Sequence, residues 1–132
     1  MEVVMIGLGI AVAAIAAFIC SSVYYVAVTP IERRIVGDAA LDRGRPETWK
    51  VLLEVLRTAV LAAAFAWIAD RGGVLDIAGS VVLALIMWVG FPLVLLTGSV
   101  LWERVHPVTA AMHAGDWLIK LLLIAVILGL LH

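Results

Sequence analysis

The stretch "VVMIGLGIAVAAIAAFICSSVYYVAVTPI", residues 3–31, contains no Asp, Glu, Lys, Arg or His. About 20 predominantly apolar residues carry a helix across a ~30 Å hydrocarbon core, so this run crosses with residues to spare. A second uncharged run covers residues 77–102. Two further apolar stretches, about 47–70 and 107–131, are interrupted by charges but are also long enough to span. The reading is an all-α integral membrane protein. Four transmembrane helices, at about 3–28, 47–70, 76–102 and 107–131, form one four-helix domain over residues 1–132.

Composition agrees. Apolar residues make up 65% of the chain and charged ones 14%, against roughly 45–50% and about 25% in soluble domains. The net charge of −1 carries no basic footprint, so no nucleic-acid partner is expected. Cys20 is the sole cysteine and has no partner for an internal disulfide. The first span begins Met1-Glu2, lacks a basic n-region and exceeds an ordinary signal-peptide apolar core, so it reads as a retained helix.

The boundaries carry recognisable chemistry. Thr29, Pro30 and Glu32 fit a capping box that would start a short interfacial helix over about 30–42. Pro46 and Pro107 precede apolar runs, as prolines at helix starts do. In "DRGGVLD", Gly72 or Gly73 closes the second span and Asp76 caps the third, making those two spans antiparallel neighbours. Arg33, Arg34, Arg43 and Arg45 in the first loop, and Arg104 in the third, outnumber the lone Arg71 of the second. The positive-inside rule therefore places loops 29–46 and 102–107 in the cytoplasm and both termini outside. Tyr24, Tyr25, Trp49 and Trp102 would then fall near the cytoplasmic interface.

Helices in lipid approach closely through small residues. Gly9, Ala13, Ala17 and Ser21 recur every fourth position on the first span and form a packing stripe, used within the chain or between copies. Pro92 removes a backbone N–H from the third span, so a kink is expected where Trp88 loses its helical partner, with Gly90 giving room.

The charges inside the spans need an explanation. An Asp or Lys at a helix centre costs ~2.5–3.5 kcal/mol to insert, whereas each Leu, Ile, Val or Phe returns only ~0.3–0.6. Glu54 and Arg57 share a face of the second span; His113, Asp116 and Lys120 share one of the fourth. The two sets lie at similar depth, and such groups are tolerable where they pair inside the bundle. A network of Glu54, Arg57, Asp116 and Lys120, with His113 at its cytoplasmic edge, is expected. It is either a ligand or proton site, or a clasp that fixes which helix faces meet.

Other chemistry finds little footing. His113 and Asp116 with Glu54 would make three metal ligands, but His106 lies two turns away, so no metal or other cofactor is expected. There is no Ser-His-Asp set, no pair of membrane aspartates and no Gly-rich phosphate loop, and no catalytic residue is assigned.

The segments "RPETWK…LLEVLR", "MWVGFPLVLLTGSVLWE" and "HAGDWLIKLLLIAVILG" resemble the motifs of a bacterial family, domain of unknown function 1761. The resemblance runs along nearly the whole chain. It implies a small multi-helix membrane protein without an assigned activity, so it carries over no catalytic role. It places Trp49, Lys50, Glu54, Arg57, Trp88, Gly90, Phe91, Pro92, His113, Asp116, Trp117 and Lys120 at motif positions. After the first span many members have a "WYGPLFGK"-like segment where this chain has "YYVAVTPIERR", and no role tied to that segment is carried over.

The expectation is a non-enzymatic accessory or binding protein of a bacterial cytoplasmic membrane. Its partners would be membrane lipid and a second copy or another membrane protein. The alternative is a small transporter or proton-coupled channel working through Glu54, Arg57, Asp116 and Lys120.

Overall fold

Inside lipid a chain must satisfy its backbone polar groups internally, and uninterrupted apolar runs do so as helices. The computed structural model describes residues 2–37 and 47–132. Its helices are α1 (Glu2–Val36), α2 (Thr48–Arg71), α3 (Ile77–Trp88), α4 (Val94–Trp102) and α5 (Pro107–Leu131), and a single π-turn over Val89–Leu93 joins α3 to α4. The α3–α4 pair forms one span, giving four helices long and apolar enough to cross a membrane. No strand occurs among the described residues.

Local chemistry sets most of the boundaries. Gly72 ends α2, and Gly73 takes the left-handed conformation (φ +68°) that reverses the chain. The Asp76 carboxylate then accepts from the Gly79 N–H at 2.9 Å and caps α3. Pro107 opens α5 behind His106, whose Nδ1 accepts from the Val108 N–H at 3.1 Å. Pro92 is buried inside the π-turn, where the wider backbone accommodates its ring and missing donor.

Two expectations need correction. The capping box at Thr29 does not form, because α1 continues through Pro30 to Val36. Thr29 Oγ1 donates back to the Tyr25 carbonyl at 2.6 Å. Glu32, 1% exposed, turns inward and accepts from Thr109 Oγ1 of α5 at 2.8 Å. A contact across the bundle has replaced the local cap, so residues 30–36 extend the first span instead of starting an interfacial helix. Gly37 (φ +72°) follows α1; the remainder of that expected helix, to 42, and Pro46 lie outside the described residues. The second correction concerns α2 and α3, which are joined by a tight turn yet touch only sparingly.

The helix shared by the others is α5. It packs closely against α1 and against α3, and α2 leans mainly on α1. The Gly9, Ala13, Ala17 and Ser21 stripe is buried within the chain, with Gly9 closely approached by Leu128 of α5. On α2 the buried row is Ala62, Phe65, Ala66 and Ala69, and from α5 come Leu121, Ile124, Ala125 and Leu128. Because α2 touches α5 so little, the bundle is left with a cleft between them at the level of the charged residues.

Candidate functional site

Side chains on a helix lean toward its N-terminus. Lys120 of α5 therefore reaches back one turn, and its ammonium lies 3.1 Å from Asp116 Oδ2. The same ammonium lies 3.3 Å from Glu54 Oε1 of α2. Glu54 in turn accepts from Arg57 Nη1 through Oε2 at 2.6 Å. Asp116 and Lys120 are buried, whereas the Glu54 side chain is 34% exposed and that of Arg57 64%. The charged series thus begins at the floor of the cleft and ends at its rim. Arg57 joins it through Glu54 and makes no contact with Asp116, from which Glu54 and Lys120 separate it.

The third wall comes from α1. Ser21 Oγ donates to Asp116 Oδ1 at 2.5 Å. The Tyr25 hydroxyl lies 2.7 Å from His113 Nδ1 and 3.4 Å from Asp116 Oδ2. A His113 protonated on Nδ1 donates to Tyr25 and frees that hydroxyl to donate to Asp116; protonated on Nε2, it accepts a hydrogen bond from the Tyr25 hydroxyl at Nδ1 instead. His113, placed by its sequence spacing at the edge of the acid–base network, thus enters it through a phenol.

Tyr24 and Tyr25, expected near the cytoplasmic interface, both bind α5, and Tyr24 OH donates to the Met112 carbonyl at 2.8 Å. Gly115 makes that contact possible, since a Cβ there would lie 2.5 Å from the Tyr24 hydroxyl. Trp88 Nε1, just ahead of the π-turn, donates to the Ala114 carbonyl at 2.8 Å. Two aromatic donors from different helices therefore fix α5 one turn before Asp116. Trp49 and Trp102 remain exposed. Gly90 faces open space, and Pro92 fills the turn.

The cleft encloses about 450 Å³, and Ser21, Tyr25, Glu54, Arg57, His113, Asp116 and Lys120 all line it, as do Lys50 and Trp117. A second cavity of about 340 Å³ shares Glu54, Arg57, Thr58, Trp117 and Lys120 and is otherwise walled by Leu56, Val60 and Leu61. Among the described residues, no three His, Cys, Asp or Glu side chains converge where a metal would sit. The groups present can exchange protons and hold a charged ligand.

Ser21 and Tyr25 are the site residues that sequence reasoning missed, and Lys50, placed at a motif position, joins the cleft wall. One signal was available: Ser21 is the polar member of the small-residue stripe, and Tyr25 follows it at four residues on the same face.

No curated protein and no solved structure matches this chain. A family model described as "Protein of unknown function (DUF1761)" matches residues 8–129. With nearly its whole length matched, the chain belongs to the DUF1761 family.

Proposed function

We propose that this protein is a non-enzymatic membrane protein that binds a small charged ligand in the cleft between α2 and α5. One observation carries the reading: the ion series of Asp116, Lys120, Glu54 and Arg57 lines an open cavity of about 450 Å³ instead of being sealed in the core. A dry clasp would have excluded that space, because unfilled volume beside charges forfeits both packing and solvation. The exposed apolar side chains of α1, α2, α3 and α4 suit a lipid surround.

The protein sits in the cytoplasmic membrane of a bacterium with both termini outside, a reading supported by the arginines flanking the first and third loops. The cleft then opens toward the cytoplasm, since Lys50 on its rim lies in the first turn of α2, beside the first loop.

Thiol accessibility tests the reading. Ser22 lines the cleft, so Ser22→Cys in a Cys20→Ser chain reacts with a membrane-impermeant anionic methanethiosulfonate in inside-out vesicles. Leu95→Cys, on the outer face of α4 and 70% exposed, stays unreactive. An inert Ser22→Cys would sink the proposal.

A second reading, a proton-coupled transporter, is favoured by the continuous series His113–Tyr25–Asp116–Lys120–Glu54. It requires that Asp116→Asn abolish proton flux in liposomes while the helices stay folded.

A further inference from the structure

The cleft contains more positive charge than its own carboxylates neutralise. Three cationic side chains, Lys50, Arg57 and Lys120, face two carboxylates, Glu54 and Asp116. Lys120 lies between both acids. Arg57 makes one bond, to Glu54, and its other N–H groups bond nothing among the described residues. Lys50 forms no ion pair among them and rests over the Trp49 ring at 5.6 Å. The unspent hydrogen-bonding capacity of the site is therefore cationic and lies at the rim. Guanidinium and ammonium groups placed together match carboxylate or phosphate oxygens.

The rim leads to a second, mostly apolar-walled space. Arg57 also borders the cavity of about 340 Å³, where Leu56, Val60, Leu61 and Trp117 form apolar walls beside Glu54, Thr58 and Lys120. Along α2 the order runs from Lys50, through Glu54 and Arg57, to Val60 and Leu61. On α2 the charged walls thus lie toward the helix end, and Val60 and Leu61 lie deeper in the span. An amphiphile in a bilayer has that same order, with its head outermost and its chain inward.

We propose that the ligand is an acidic amphiphile, with a carboxylate or phosphate head held by Arg57 and Lys50 and an alkyl chain laid against Leu56, Val60 and Leu61. The assignment rests on the ligand-binding reading above and adds the chemical class. A cationic head would meet the uncompensated positive charge. A small anion without a chain would leave the apolar cavity unfilled.

The test is thermal unfolding of the whole protein in a neutral maltoside detergent, titrated with five probes. Dodecanoate and dodecyl phosphate are expected to raise the melting temperature, and their relative strength separates a carboxylate head from a phosphate one. Dodecyltrimethylammonium, acetate and inorganic phosphate should leave it unchanged at matched concentration. Arg57→Gln, at an exposed position, should weaken the acidic amphiphiles about tenfold or more, the value of a charge-assisted bond. Val60→Trp, which fills the apolar cavity, should weaken dodecanoate while the fold persists. Equal stabilisation by the cationic probe overturns the charge assignment; equal stabilisation by acetate or inorganic phosphate overturns the chain assignment. If no amphiphile acts while Ser22→Cys remains reactive, the ligand class is wrong and the open cleft stands. If Ser22→Cys is inert too, both proposals fall.

Discussion

Lys120 and Asp116 lie one turn apart on α5, 3.1 Å between ammonium and carboxylate, and both are buried. Their pairing makes a charged helix tolerable in lipid. Without Lys120 the buried Asp116 keeps the Ser21 and Tyr25 hydroxyls but no cation, and without Asp116 the ammonium keeps Glu54; breaking such a pair costs up to ~3–5 kcal/mol. Lys120→Met is therefore expected to lower stability by about that amount, and Asp116→Leu likewise. The double substitution should recover most of the loss, because no lone charge remains. Melting in neutral detergent reads all three, and strictly additive losses would show that the pair is uncoupled.

Gly115 is where α5 makes room for Tyr24. Gly115→Ala would set a Cβ 2.5 Å from the phenolic oxygen, and overpacking of this kind costs ~1–3 kcal/mol. Tyr24→Phe removes the clashing atom, so the double variant should melt above Gly115→Ala alone. No rescue would mean that the strain lies elsewhere.

Tyr25 and His113 are partners across α1 and α5 at 2.7 Å. A double-mutant cycle of Tyr25→Phe and His113→Phe should give a coupling of about 0.6 kcal/mol, and up to ~1.7, the range for side-chain hydrogen bonds within membrane bundles. A coupling of zero would place the two groups apart in the membrane.

Two glycines should respond in opposite senses. Gly129 meets the backbone of Ile77, with a Cβ there 2.9 Å from its Cα. Gly129→Ala should accordingly separate α5 from α3 and destabilise by ~1–3 kcal/mol. At Gly98 nothing lies within 4 Å, so Gly98→Ala should be neutral or stabilise by up to ~1 kcal/mol through helix propensity. Reversed signs in unfolding experiments would contradict the packing of α3 on α5.

Legibility in the sequence tracked the range of the interaction. The four spans followed from run length and missing charge, and the α2–α3 turn from Gly72, Gly73 and Asp76, whose partners lie within a few residues. Lys120 pairing with Asp116 was equally local, because a lysine four positions on leans back over its carboxylate. Lys120 of the fourth span and Glu54 of the second lie 3.3 Å apart, and their similar depth can be counted along the two spans.

What tertiary structure alone decided was the third wall and the open space. Ser21 and Tyr25 lie more than ninety residues from Asp116 in sequence, and no periodicity on α1 reports the rotation that faces them to α5. Thr29 and Glu32 show the same limit from the other side. They carry a sound local signal for a helix start, yet Glu32 gains a buried partner in Thr109 and the helix runs on. A capping bond and a cross-bundle bond compete for the same carboxylate, and the packing of α1 on α5 settles which one forms. The cleft has the same origin: sparing contact between α2 and α5 leaves a cavity lined by charged groups, and that spacing is a property of four helices packed together, not of any one of them.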